Sequence, residues 1–265
     1  MPEDKLRNIL VSLRFDGTAY HGWQVQSNAV TVQETVQDTL EKILKYRPSV
    51  VGCSRTDAGV HANEFCFNFH TSAAIPCDRL RRALNSNFPY DVAAISCREV
   101  PGAFHARYSA VGKEYIYKIW NSDARDPFMN PYSFFCPRRL DTELMTRAAR
   151  DFLGTHDFSA FCASGSDAED TVRTVSLLDI ERSGPLVTVR IRADGFLYNM
   201  VRIIAGTLVA VSQGRIAPDG VSEIITGGRR VPAGQTLPAC GLFLNRVFYD
   251  AASYADASRP EKNRA

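Results

Sequence analysis

Apolar and polar residues alternate over residues 8–15, with Ile9, Val11, Leu13 and Phe15 on one side and Leu10, Ser12 and Arg14 on the other. A period of two predicts a strand. Asp16-Gly17-Thr18 interrupts it with turn residues. Over residues 31–44 the period becomes helical, placing Val32, Val36, Leu40, Ile43 and Leu44 on one face, and Thr31 with Glu34 forms a capping-box pair at the start. The apolar run at 50–52 predicts a short buried strand, and 64–71 alternates again around Phe65, Phe67 and Phe69. A helix over 78–85 and a strand over 92–96 complete the first hundred residues. The order strand, helix, strand, strand, helix, strand is that of a ferredoxin-like unit, a sheet covered on one side by two helices.

The order partly recurs. Residues 113–120 read as a strand with Tyr115 and Tyr117 on one face, and 141–153 as a helix. Residues 172–181 and 187–193 read as a hairpin about Ser183-Gly184-Pro185, 198–213 as a helix closed by Gly214, 218–226 as a shorter helix, and 242–248 as a last strand. No sequence repeat accompanies the recurrence, which rests on element order alone. The expected class is α+β, with two ferredoxin-like halves: residues 1–105 and 106–250. Residues 251–265 form a polar tail expected to be disordered.

At 265 residues and 45% hydrophobic content the chain can bury a substantial core as one large or two smaller domains. A net charge of +2 neither demands nor excludes nucleic acid. Arginines cluster, however, at Arg79, Arg81 and Arg82, at Arg138 and Arg139, and at Arg229 and Arg230. Each cluster alone reads as a solvated face; together they favour a phosphate-binding surface. The cysteines, at 53, 66, 77, 97, 136, 162 and 240, form no CxxC pair and are odd in number, against a zinc ribbon or a disulfide framework. The first eight residues are charged and lead into no signal-type apolar run. The most apolar stretch, 200–211, is too short to span a bilayer and contains Arg202. The expected location is the cytoplasm.

Candidate chemistry concentrates in Arg55-Thr56-Asp57-Ala58-Gly59-Val60-His61-Ala62, directly after the 50–52 strand. A carboxylate in a small-residue loop can approach a ligand closely, and Gly59 allows backbone shapes that larger residues resist. Arg55 and Asp57 leave an extended chain on the same side. A neighbouring guanidinium favours an ionised carboxylate, the form a nucleophile requires. Equally, Asp57 could cap the next turn with Arg55 as a surface partner. Arg202 lies in a helix apolar nearly all round; if buried it needs a partner, for which Asp57 is suitable, and otherwise it lies on a polar stripe or pairs with Asp194. Tyr115 and Tyr117 could be two core aromatics on one sheet face. Asp57 and His61 could begin a metal site, but Gly59 between them argues against a helix and no HxxxH or HxH cluster supports it.

The octapeptide resembles the active-site signature of the tRNA pseudouridine synthase A family. The likeness extends in order through Phe15-Asp16-Gly17-Thr18-Ala19-Tyr20-His21-Gly22-Trp23-Gln24, Thr31-Val32-Gln33-Glu34, Ala83-Leu84-Asn85 with Pro89 and Asp91-Val92, Phe104-His105-Ala106-Arg107 with Ser109-Ala110, Lys113-Glu114-Tyr115-Ile116-Tyr117, Gly154-Thr155-His156-Asp157-Phe158, Thr171-Val172-Arg173, Phe196-Leu197-Tyr198-Asn199-Met200-Val201-Arg202 and Gly241-Leu242. It covers roughly residues 8–250. Ser54 stands where the family often has Gly, and Ser is small enough to fit.

The resemblance implies isomerisation of uridine to pseudouridine at positions 38, 39 and 40 of the tRNA anticodon stem-loop, without cofactor or metal, by a homodimer. It implies a pseudouridine synthase fold whose two halves form a central RNA-binding cleft. Asp57 would be the nucleophile, Tyr115 would stack on the flipped base, and Arg202 would be Asp57's partner. Leu242 would be an apolar wall, and Arg55 and Arg107 would contact substrate. Asp16 and Gln24 would shape the cleft or grip RNA. The rivals are the same chemistry on other RNA uridines, a non-catalytic RNA-binding protein, and a metal-dependent hydrolase.

Overall fold

The computed structural model describes residues 6–165, 168–228 and 233–256. Its elements are β1 (Arg7–Phe15), α1 (Val32–Leu44), β2 (Val50–Gly52), β3 (His61–Thr71), α2 (Cys77–Asn87), β4 (Val92–Val100), β5 (Gly112–Trp120), β6 (Phe134–Phe135), α3 (Thr142–Ala149), β7 (Gly154–Asp157), β8 (Val172–Ser183), β9 (Leu186–Ala193), α4 (Met200–Ser212), α5 (Val221–Gly227), β10 (Leu242–Phe248) and α6 (Ala251–Asp256), with short 3-10 turns between some of them. The architecture is α+β. The chain divides into two units, one holding the residues up to Val111 together with Leu244–Asp250, the other Gly112–Phe243 and the chain from Ala251 on. The change of unit thus falls six residues beyond the boundary expected after His105, and most of β10 returns to the first unit.

In the first unit β1 pairs antiparallel with β3 and β4, Ile9 lying opposite Phe69 and Glu99, and β2 pairs with β3, Val50 opposite Phe69. This is the predicted ferredoxin-like unit, and β10 adds itself beside β3. Ile9, Val11, Leu13, Phe65, Phe67 and Phe69 are buried with Val32, Val36 and Leu40 of α1 and Leu80 and Leu84 of α2. The Thr31 side chain accepts the N–H of Glu34 at 3.4 Å, so the capping residue starts α1 as its pattern predicts.

The alternation of β1 does not leave its second face wet. Leu10 and Ser12 are buried too, as are the polar Asn8 and Asn68. The Asn8 amide donates to the carbonyls of Pro101 and Phe104 at 3.1 and 2.8 Å. The Asn68 amide donates to Asn8 Oδ1 at 2.9 Å, and Asn68 Oδ1 accepts the Ala106 N–H at 2.8 Å. The Tyr249 hydroxyl donates to the Ala106 carbonyl at 2.9 Å. Paired side-chain amides thus satisfy an irregular segment pressed on the sheet, and buried polar groups are tolerated only when paired in this way. β3 begins at His61 rather than 64, because Phe15 offers Ala62 a partner across the sheet.

In the second unit the strand order is β5-β9-β8-β7, with β6 parallel beside β5. β8 and β9 form the predicted hairpin, Gly184 taking φ 57 at its turn. α4 is buried along nearly all its length, and it starts at Met200 because Asn199 adopts the left-handed φ of 61. The tail expected to be disordered starts as α6. The Tyr254 hydroxyl hydrogen-bonds Ser176 Oγ at 2.8 Å, and its ring occupies the space a Cβ on Gly112 would need. Residues from 257 lie outside the described part. Among the described residues no helix is long and apolar enough to cross a membrane.

Candidate active site

The segment 53–60 is held from both sides. The Cys53 N–H donates to the Cys66 carbonyl at 2.8 Å, and Cys53 is fully buried. On the other side lies the 16–24 segment. The Trp23 N–H donates to the Thr56 carbonyl at 3.3 Å, the Gly59 N–H donates to the Tyr20 carbonyl at 3.1 Å, and the Val60 N–H closes a turn on the Asp57 carbonyl at 3.2 Å. Two glycines make the approach possible. A Cβ on Gly22, which has φ 83, would sit 2.1 Å from the Thr56 oxygen, and one on Gly17 would sit 2.0 Å from the Val60 oxygen. Gly22→Ala therefore has to adopt a left-handed backbone and displace the strand of chain that carries Asp57. The expected loss is about 2–4 kcal/mol, read as a lower denaturant midpoint; an unshifted midpoint would show that the contact is slack.

His61, buried at the start of β3, accepts the Gly17 N–H on Nδ1 at 3.0 Å, with Asp16 Oδ1 3.1 Å away. Asp16 Oδ1 in turn accepts from the Thr18 N–H at 2.9 Å and the Thr18 hydroxyl at 2.5 Å. The Tyr20 hydroxyl donates to Asp91 Oδ1 at 2.8 Å; burial, then the hydrogen bond to Asp91, pushes its phenol well above the usual range and keeps it a donor. Asp16 thereby serves the scaffold of the loop. Asp57 is half-buried and Arg55 exposed.

An open cavity of about 330 Å³ lies beside this loop, lined among others by Trp23, Gln24, Gln33, Ser54, Arg55 and Arg107. The structure thus brings together Arg55, Arg107 and Gln24, which are far apart in sequence; Asp57 is not among the lining residues. Two guanidinium groups at one hollow suit a phosphate or other anion. Trp23 and Gln33 belong to the site without having been singled out: the Trp23 ring stacks on Phe65 with centroids 4.2 Å apart, and Gln33 Oε1 accepts the Val25 N–H at 3.2 Å. Their only sequence signal was membership in the 15–24 and 31–34 blocks.

In the second unit Tyr115 is 6% exposed and meets Phe196 edge-on, ring centroids 4.9 Å apart. Tyr117 on the same face is fully buried and donates to the Pro238 carbonyl at 2.7 Å; burial pushes its phenol up. Arg202, half-buried in α4, donates from Nε to the Leu237 carbonyl at 2.7 Å and from Nη1 to Asn199 Oδ1 at 2.6 Å. A carbonyl and an amide thus meet part of its need for partners. Asp194, the rival partner, accepts the Thr174 N–H at 3.0 Å. Leu242 is 7% exposed at the start of β10.

Of the arginine clusters, Arg81 and Arg82 pair with Asp78 at 3.4 and 2.7 Å, which is the solvated-face arrangement. Arg138 and Arg139 are exposed, and Arg229 and Arg230 lie outside the described residues. Among the described residues no three His, Cys, Asp or Glu side chains gather as a metal site requires.

Residues 12–109 and 148–250 match a family model described as tRNA pseudouridine synthase. A tRNA pseudouridine synthase A of Acetivibrio thermocellus is 46% identical over 244 residues, covering 92% of this chain and 100% of the relative, and one from a Thermoanaerobacter species agrees equally well. A tRNA pseudouridine synthase A 2 of Clostridium perfringens is 41% identical over the same shares. A solved Cbf5-Nop10-Gar1 complex aligns over 89% of this chain and 57% of its own at 10% identity, with a TM-score of 0.35, too distant to carry an argument.

Proposed function

The chain belongs to the tRNA pseudouridine synthase family, and from that premise we propose that Asp57 is the nucleophile with which it isomerises uridine to pseudouridine at positions 38, 39 and 40 of the tRNA anticodon stem-loop. The reaction is an isomerisation: the C1′–N1 bond breaks, the uracil turns, C5 bonds to C1′, C5 loses its proton and N1 gains one. No electrons are gained or lost overall. The observation that carries the assignment is the setting of Asp57. Its turn is tied by backbone hydrogen bonds to residues 20 and 23, through glycines at 17 and 22, while its side chain stays half accessible. A nucleophile gains from being positioned before substrate arrives.

The other roles follow the chemistry of each side chain. Tyr115 offers a ring on which a flipped uracil stacks, which offsets part of the few kcal/mol that flipping costs. Leu242 is an apolar wall for the same base. Arg202 is a further substrate-binding residue, and Arg55 with Arg107 grips the RNA backbone, supported by their common cavity. The protein acts as a cytoplasmic homodimer, tRNA being large enough to touch both subunits.

The test is tritium release from 5-tritiated uridine in an anticodon stem-loop-bearing tRNA transcript, followed by mapping of the modified positions. Release with pseudouridine at 38, 39 and 40 is the expected result. Release from other positions would overturn the target assignment and leave the chemistry. Binding of tRNA with no release would favour the non-catalytic rival.

A further inference from the structure

Tyr108 is 77% exposed, yet the turn that carries it is fixed from inside the fold. His105 Nδ1 accepts the N–H groups of both Arg107 and Tyr108 at 3.2 Å, the Ser109 N–H donates to the His105 carbonyl at 2.8 Å, and Ser109 Oγ accepts the His105 N–H at 3.1 Å. The same turn hangs from the buried sheet by the Ala106 N–H on Asn68 and the Ala106 carbonyl on Tyr249. The His105 ring lies against one face of the Tyr108 ring, centroids 4.3 Å apart and planes inclined by 28°. The Arg107 guanidinium carbon lies 5.7 Å from the Tyr108 centroid, and Arg107 also lines the cavity shared with Arg55.

We propose that Tyr108, stacked on His105 and flanked by Arg107, is a platform for an unpaired base of the RNA substrate. The inference rests on the tRNA-modifying reading above and adds a contact that reading does not contain. Single apolar side chains on a surface need no explanation. This one differs because buried amides and a histidine hold the turn that carries a solvated aromatic ring, with His105 stacked against the ring and the Arg107 guanidinium beside it. Every base has a π face, so such a ring accepts any base that has left the helix, while an adjacent guanidinium serves the neighbouring phosphate. A ring that is ordered beforehand loses little freedom on binding.

The experiment measures tRNA affinity at several salt concentrations for the full chain, Tyr108→Ala, Tyr108→Phe and Arg107→Gln, with unfolding midpoints and sedimentation for each. Tyr108→Ala is expected to weaken binding about tenfold, the scale of one lost base stack. Its slope of log affinity against log salt should match that of the full chain, since no phosphate contact is removed. Tyr108→Phe should bind within about twofold of the full chain, and Arg107→Gln should reduce the salt slope by about one contact. Unchanged affinity in a folded Tyr108→Ala overturns the platform, and so does a Tyr108→Phe as weak as Tyr108→Ala, which would point to the hydroxyl instead. Altered sedimentation of Tyr108→Ala also overturns it, by making the ring a contact between copies of this chain. Failure of the tRNA reading looks different: the full chain itself would neither bind tRNA nor release tritium.

Discussion

Asp57→Ala is expected to abolish tritium release from 5-tritiated tRNA, by about 10⁴-fold or more, the scale on which removal of a member of a nucleophilic centre is felt. Its affinity for tRNA should stay within about threefold, because RNA binding rests on many phosphate and shape contacts to which one carboxylate adds little. The fold should survive as well. The Asp57 carbonyl accepts the Val60 N–H, and alanine keeps that carbonyl. Asp57→Asn makes a sharper comparison, since it preserves size and removes charge. If either variant releases tritium as fast as the intact chain, Asp57 is not the nucleophile, although the isomerisation would stand.

Arg192→Met is expected to lower stability by about 3–5 kcal/mol, the range for breaking a buried ion pair. Arg192 on β9 and Glu114 on β5 face each other in register, are 2% and 5% exposed, and form an ion pair. The Tyr254 ring of α6 has its centroid 6.0 Å from the Arg192 guanidinium carbon. Taking away the guanidinium leaves the Glu114 carboxylate buried without that partner, which is where most of the loss arises. The double change Glu114→Leu with Arg192→Met should recover much of it, because an apolar pair of similar volume needs no desolvation. Denaturant unfolding of the three proteins decides the matter. Equal midpoints for the single and double variants would show that the two charges do not depend on each other. Glu114 precedes Tyr115, so a looser β5 should also disturb the base-stacking ring proposed there, visible as a rise in KM for tRNA.

Much of the fold was legible because it is written in local periods. The alternation at 8–15 and 64–71, the helical spacing and Thr31 cap at 31–44, and the turn at Ser183-Gly184-Pro185 each predict an element that the structure contains. What periodicity missed has identifiable causes. β6 is two residues long and offers no period to detect. The second face of β1 was legible only as mixed, yet Leu10 and Ser12 on it are buried, and Asn8 and Asn68 hydrogen-bond the distant backbone of Phe104 and Ala106. Tyr254 of α6 meets Gly112 and Ser176, contacts that no local composition signals.

The candidate site divides in the same way. The octapeptide at 55–62 and the block at 15–24 name the chemistry by residue type, and the match of most of the chain to one family agrees with them. Why the two blocks need each other is absent from either: Gly17 and Gly22 exist to let backbone meet backbone at 56–60, a contact between segments some forty residues apart. The shared hollow of Arg55 and Arg107 and the backed ring of Tyr108 likewise depend on where loops land after folding. Sequence by itself determined which residues were chemically capable and which stretches form strands and helices, because propensity, capping and amphipathic period act over neighbours. Only the tertiary structure decided which capable residues meet, which polar side chains serve the scaffold, and where one unit ends, because burial and long-range hydrogen bonds exist only once distant segments have packed.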